Sequence, residues 1–183
     1  ERMKEKELYD ALQIFNQTNW SESKIDSYKG FRNACYRAMW GNRSDLSNLQ
    51  EFDTDMGEQS ENIIIDHSKA AYNLLAQRPS KIAYFMDNAG RELFFDLAFI
   101  DGLLQSQLAG SITLYLKNQP FFVSDVMPYD LNKTIQVLSA SPSRTNQALS
   151  SRLVQALKTG KITIKAPIFL TTSCMYRGMP NAS

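Results

Sequence analysis

The sequence has few of the residues that build several common kinds of site. Its 183 residues include two cysteines and one histidine. Cys35 and Cys174 lie far apart without the paired spacing of a zinc motif, and two thiols are too few for a disulfide framework. We interpret both as buried or unreactive thiols. His67 has no second histidine four residues away with which to share a metal, so we interpret it as structural and expect no His-based triad.

Net charge and long apolar runs are also lacking. Twenty Lys and Arg against nineteen Asp and Glu give a net charge of +1, so no overall field attracts nucleic acid. No apolar run approaches the roughly 20 residues that cross a bilayer, and residues 1–7 are too charged for a signal peptide. We expect a soluble, cytoplasmic protein without nucleic-acid or membrane partners. The sequence does not indicate its oligomeric state.

Motifs of other chemistries are missing as well. The chain contains no Walker-type phosphate loop, no G-x-G-x-x-G sequence and no G-x-S-x-G elbow. The sequence therefore does not favour a nucleotide-binding protein or a serine hydrolase.

The chain divides into a helical N-terminal region, residues 1–60, and an α/β region, residues 61–183. Apolar residues recur at helical spacing over residues 4–17 and 28–40. A polar, acidic stretch at 51–60 predicts a loop, and residues 62–77 predict a further helix.

The α/β region begins with a short apolar run at 81–86, which predicts a buried strand ending in a turn. A helix over 91–108, stopped by Gly110, and a strand over 112–116 complete a parallel βαβ unit. We predict further helices near 131–138 and 146–158 and a strand at 161–164. The expected fold class is α/β, an incomplete parallel-sheet α/β/α domain behind the helical region.

Polar side chains follow two of the predicted strands. Asp87 and Asn88 come directly after the first strand, and Asp125 follows the second through a short loop. Ligands of open α/β sheets gather at the carboxyl ends of the strands, so these residues can share one edge. Two carboxylates and an amide oxygen suit Mg²⁺ or Mn²⁺. The alternative is that Asp87 and Asn88 only form the turn and cap the next helix.

Three further acids lie on the helix that follows Asp87. Glu92 is one turn in and can face the same crevice, although a carboxylate near a helix N-terminus is also favourable by itself. We interpret Asp96 and Asp101 as a cap contact or part of a solvated face.

Three separated segments resemble the metal-dependent damage-control phosphatase family, formerly described as acidic-residue methyltransferases. They are FMDNAGRELFFDL at 85–97, KNQPFFVSDV at 117–126 and MWGNRSDLS at 39–47, in the family's order. The last resembles an element of the sugar-phosphate branch. A weaker match, PIFLTTS at 167–173, has Leu170 where the family has tryptophan.

The resemblance implies that Asp87, Asn88 and Asp125 bind a divalent metal and that Asp87 and Asp125 are catalytic. It places Glu92 in the substrate pocket or in a site once assigned to S-adenosylmethionine. We expect the two carboxylates within about 5 Å of each other, because one ion must touch both. We also expect Trp40, Asn42 and Asp45 near the crevice, with Asn42 facing the substrate. The alternative is that this last element is only a helix end.

The expected activity is hydrolysis of phosphomonoesters of small metabolites, reactive sugar phosphates in particular. The expected cofactor is a divalent metal, Mn²⁺ or else Co²⁺, Ni²⁺ or Mg²⁺, and the expected partner is a small phosphorylated metabolite. One alternative is an S-adenosylmethionine-dependent protein carboxyl methyltransferase, for which S-adenosylmethionine is the cofactor. The other is a non-catalytic metal-binding remnant. The family's phosphate-gripping GDLNYRK segment does not occur in the sequence, so we expect a fragment of a longer protein. The alternative is a natural truncation that keeps the metal ligands and loses half the pocket.

Overall fold

The computed structural model describes residues 4, 6, 8–10, 12, 13, 25–40, 63–122 and 124–172. The described residues of the first thirteen are helical, as predicted for 4–17. Asn42, Asp45 and Cys174 lie outside the described residues, and so do the sequence-based expectations about them.

Five α-helices, three strands and a short 3-10 helix have defined bounds. They are α1 (Tyr28–Trp40), α2 (Ser68–Gln77), β1 (Ser80–Phe85), α3 (Arg91–Gln105), β2 (Ala109–Tyr115), α4 (Pro128–Ala140), α5 (Arg144–Lys158), β3 (Ile162–Lys165) and the 3-10 helix Ile168–Thr171. Within the described residues, no helix is long and apolar enough to cross a membrane.

The three strands form one parallel sheet in the order β1-β2-β3. The α/β class and the parallel βαβ unit are therefore confirmed. The register shifts by one residue between Ser80 and Lys81, which pair with Ala109 and Ser111. Gly110 lies in this bulge, inside β2.

Two predicted helix ends were wrong. The helix predicted over 62–77 begins at Ser68, because the Asp66 carboxylate accepts the Ser68 N–H at 2.8 Å and fixes the start there. His67 therefore precedes the helix, with an exposed side chain. The helix predicted to continue to 108 ends at Gln105, before Gln107 turns the chain with φ 58°. Gly110 does not stop the helix.

Helix α3 is the centre of the fold. Ten of its fifteen residues are buried, because it contacts the sheet and two other helices. Helix α5 contacts both α3 and β3, so α3 and α5 cover the same face of the sheet. That face carries buried side chains such as Ile112, Leu114 and Ile162. On the opposite face every residue is exposed or half-exposed: Lys81, Ala83, Phe85, Ser111, Thr113, Tyr115, Thr163 and Lys165.

Asp101 was expected at a cap or on a solvated face, but it is 3% exposed. Its carboxylate accepts charge-assisted hydrogen bonds from Arg152 on α5, from Nε to both oxygens at 3.0 Å and from Nη2 at 2.9 Å, and one bond from Gln105 at 2.8 Å. The guanidinium compensates the buried charge and joins the two helices that cover the sheet.

Cys35 is a free, half-buried thiol on α1. Burial raises the pKa of this thiol, and the charge of Asp66 raises it further. A thiol with a raised pKa is a weak nucleophile, which supports the interpretation of Cys35 as unreactive.

We expect Leu114→Ala to lower the free energy of unfolding by about 2 to 5 kcal/mol, since Leu114 is fully buried against the helices. Thr113→Ala, one residue away on the opposite face, is the control and should cost about 1 kcal/mol or less. Urea denaturation of both variants measures the difference. Equal losses would contradict a core on one face of the sheet.

Candidate metal centre

The loop after β2 returns to the segment after β1 and pairs with it in antiparallel fashion. Asn88 and Asp125 form a β-bridge. The Ala89 N–H donates to the Ser124 carbonyl at 2.8 Å, and the Val126 N–H donates to the Asp87 carbonyl at 3.0 Å. Backbone hydrogen bonds therefore bring the two predicted segments together at the carboxyl edge of the sheet.

Side-chain hydrogen bonds orient the amide of Asn88. The Ser124 hydroxyl donates to Asn88 Oδ1 at 2.6 Å. With its oxygen fixed in this way, the amide nitrogen donates to Asp87 Oδ2 at 3.1 Å and to Glu92 Oε2 at 2.9 Å. Asp87 and Glu92, on either side of the β1–α3 turn, thus share one amide.

Asp125 is buried, with 4% of its surface exposed. The Phe122 N–H donates to Asp125 Oδ2 at 2.8 Å. This bond spans three residues and closes the tip of the loop, so it holds the carboxylate in place. A carboxylate offers about four lone-pair positions, and one such bond leaves capacity for a cation.

Lys4, from the N-terminal helix, contacts the same loop from 121 residues away. Its ammonium donates to the Asp125 carbonyl oxygen at 2.8 Å and to Asp130 Oδ2 at 3.2 Å. Asp130 Oδ2 also accepts the Met127 N–H at the start of α4. Lys4 therefore connects the N-terminal helix by hydrogen bonds to the loop that carries Asp125.

The oxygen donors at this edge match the ligand preference of a hard divalent cation. Asp87, Asn88 and Asp125 offer two carboxylates and an amide oxygen on two loops joined by backbone bonds. Among the described residues, no group of three or more His, Cys, Asp and Glu side chains has the arrangement of a metal site. A metal here would depend on the amide, and on water to complete its shell.

The Glu92 carboxylate lies beside Asn88, whose amide donates to it at 2.9 Å. Burial raises the pKa of its carboxyl, the Asn88 hydrogen bond lowers it, and the charge of Asp87 raises it. A nearby cation would favour the ionised form of this group.

Asp96 was expected at a cap or on a solvated face. It is instead buried, with 6% of its surface exposed. The Tyr84 hydroxyl donates to Asp96 Oδ1 at 2.6 Å. Burial raises the pKa of Asp96 to about 7; the Tyr84 bond opposes this, and the charges of Glu92 and Asp87 add to it. Tyr84 in turn has a raised pKa because of burial and the Asp96 charge. Asp101, one helical turn further on, has a guanidinium partner instead.

Sequence reasoning missed Ser124, Tyr84, Asp96 and Lys4 as residues of this region. Ser124 precedes Asp125 directly, so its position was a usable signal. Nothing in the local sequence links Lys4 to Asp125.

A parallel α/β domain with hard oxygen donors at the carboxyl edge of its sheet is the class defined by the fold and the site. The family model for the damage-control phosphatase ARMT1-like domain matches residues 1–183. The chain belongs to this family, which confirms the resemblance seen in the three sequence segments.

Individual relatives agree with the family model. The chain is 27% identical over 162 residues to the human damage-control phosphatase ARMT1, an alignment that covers 80% of this chain and 37% of the relative. The zebrafish protein of the same name is 28% identical over 164 residues, covering 80% and 36%. The rat protein is 31% identical over 119 residues, covering 57% and 27%. The chain thus spans about a third of the length of these curated relatives.

We expect the stability of the metal-free protein to fall as pH rises from about 4 to 7, because folded Asp96 keeps a proton that the unfolded chain releases near its usual pKa of 3.8. Asp96→Asn removes the pH-dependent contribution of Asp96 to the free energy of unfolding. Between pH 5 and 8 the wild type should lose on the order of 2 to 3 kcal/mol relative to the variant.

Urea denaturation at several pH values, with a chelator present, measures this difference. Tyr84→Phe removes the donor that lowers the pKa of Asp96 and should move the loss of stability to higher pH. A difference between wild type and Asp96→Asn that is independent of pH would contradict the assignment.

Proposed function

We propose that this chain carries the metal-binding part of a phosphatase that hydrolyses phosphomonoesters of small metabolites, sugar phosphates in particular. The observation that carries the proposal is the backbone pairing of Asn88 with Asp125 beside Asp87. The family supports the phosphatase class, and the relatives named above are damage-control phosphatases.

Asp87, Asn88 and Asp125 would hold the divalent metal, with Mn²⁺ as the first choice and Co²⁺, Ni²⁺ or Mg²⁺ as the others. A bound divalent cation supplies charge neutralisation for the transferring phosphoryl group and lowers the pKa of water. The exposed Asp87 carboxylate is within reach of substrate and solvent, whereas Asp125 is buried and held by the Phe122 N–H. The first can therefore contact a reacting group, and the second fixes the geometry.

Glu92 extends the site away from the metal. Its hydrogen bond to Asn88 keeps a carboxyl group beside the donors. We assign it to substrate binding, next to the position where a phosphate would lie. Asn42 keeps its predicted role at the substrate.

The methyltransferase alternative has less support. The turn between β1 and α3 is short, and it has Asp-Asn-Ala-Gly where a cofactor-binding loop would have several glycines. A metal-binding domain without turnover is the other alternative, and the next experiment separates the three.

Asp125→Asn should lose metal affinity and phosphatase activity together, because a neutral amide replaces a charged donor of the same shape. Asp26→Asn removes a charge from an exposed residue elsewhere and serves as the control. Mn²⁺ affinity is measured by calorimetry, and phosphate release from sugar phosphates by a colorimetric assay. Chelation should abolish the release, and added Mn²⁺ should restore it.

Methyl transfer to protein carboxylates that survives both chelation and Asp125→Asn would refute the hydrolase. Tight metal binding with no turnover would instead favour the non-catalytic alternative. Unaltered Mn²⁺ affinity in Asp125→Asn would remove Asp125 from the site.

Lys4→Met should weaken Mn²⁺ binding by about tenfold, because the variant loses the donor that holds the Asp125 backbone. Lys6→Met is the matched control, since Lys6 lies two residues away with an exposed side chain. Lys4→Arg keeps a cationic donor and should recover part of the affinity. Equal Mn²⁺ affinities for all three variants would show that Lys4 does not position the loop.

A further inference from the structure

An open groove runs along β1, the edge strand of the described sheet. Its volume is about 390 Å³, and residues of α1, β1 and α3 line it. The side chains that matter here are two acids and two aromatic groups: Glu92, Asp96, Tyr84 and Phe99. A groove of this size accommodates a small organic molecule.

The groove adjoins the candidate metal ligands through Glu92. Glu92 lines it and also accepts the hydrogen bond from the Asn88 amide at 2.9 Å. A phosphate ester bound through its phosphate at Asp87, Asn88 and Asp125 would have its ester group next to Glu92. The groove adjoins that position and has space for the group.

The lining determines which chemistry fits. Among the described residues that line the groove, none is Lys, Arg or His, so this part of the lining offers no cation to compensate a second anion. Ionised Glu92 and Asp96 only accept hydrogen bonds, which suits hydroxyl donors. The aromatic rings of Tyr84 and Phe99 suit C–H groups. A second phosphate or carboxylate in the groove would lie against two acids of the same sign.

We propose that this groove binds the organic part of the substrate and that Glu92 and Asp96 restrict it to neutral, hydroxyl-bearing groups. Metabolites with a second phosphate or a carboxylate are rejected. Asp96 is thus a specificity-determining residue, and Tyr84 positions it through the 2.6 Å hydrogen bond. The inference rests on the proposed phosphatase function, because it assumes that a phosphate binds at the neighbouring donors.

The test measures equilibrium binding to the full chain loaded with Mn²⁺, by calorimetry at pH 8. Three probes are compared: inorganic phosphate, glucose 6-phosphate and glucose 1,6-bisphosphate. Glucose 6-phosphate should bind more tightly than inorganic phosphate, because only the ester reaches the groove. Glucose 1,6-bisphosphate should bind at least about tenfold more weakly than the monophosphate, since its second phosphate meets the two acids.

Two variants locate the effect in the groove. Cys35→Phe places a larger side chain in the groove from α1 and should reduce glucose 6-phosphate affinity to that of inorganic phosphate, with inorganic phosphate binding unaltered. Lys29→Phe is the control, because Lys29 is an exposed residue of the same helix outside the groove lining. Asp96→Asn should reduce the discrimination against the bisphosphate, and it tests the proposal independently if Cys35→Phe does not fold.

The two proposals fail in different ways. Equal affinities for monophosphate and bisphosphate in the wild type, together with normal binding of inorganic phosphate, would overturn the groove and leave the phosphatase site standing. If Asp96→Asn leaves the preference for the monophosphate over the bisphosphate unaltered, the groove is likewise overturned and the phosphatase site stands. No binding of inorganic phosphate to the Mn²⁺-loaded chain would overturn the proposed function and the groove with it.

Discussion

The antiparallel return of residues 124–126 onto residues 87–89 is the constraint on which the candidate site depends. A slip of one residue in such a pairing turns every side chain to the opposite side. The register that places Asn88 opposite Asp125 therefore decides whether the donors share one crevice. Two backbone bonds hold this register, from the N–H groups of Ala89 and Val126. The pairing does not rely on the acids themselves, so their mutual repulsion is opposed by bonds that carry no net charge.

Helix α3 carries three acids whose surroundings give them different properties. Glu92 shares the Asn88 amide with a candidate metal ligand, Asp96 has a neutral phenol as its partner, and Asp101 has a guanidinium. A phenol donates one hydrogen bond but supplies no compensating charge, so burial dominates and the pKa of Asp96 is raised to about 7. Position along one buried helix thus separates a residue beside the candidate metal ligands, a residue of the groove and a structural ion pair.

The sequence predicted those features that depend on local pattern. The bounds of helix α1 and the order of strands and helices follow from periodicity, and the segment after β1 follows from its turn residues. Helix α2 begins later than predicted, at Ser68, because the Asp66 side chain accepts the Ser68 N–H. The spacing of apolar residues does not reveal such a contact. Asp96 was misplaced because a charge on a helix is ordinarily read as exposed, whereas the Tyr84 partner lies on a strand twelve residues earlier. The contact of Lys4 with Asp125 is purely tertiary.

Strand β1 combines two properties. Its carboxyl end leads directly into Asp87 and Asn88, and it is the edge strand of the described three-stranded sheet. Ligands of open α/β sheets bind beyond the carboxyl ends of strands, where the crevice is open. A groove for the organic part of a ligand then needs free space beside the same strand, which an edge provides and a central position would not. The site is accordingly accessible along the edge, while α3, packed behind β1, supplies both the core of the domain and the acids that face the groove.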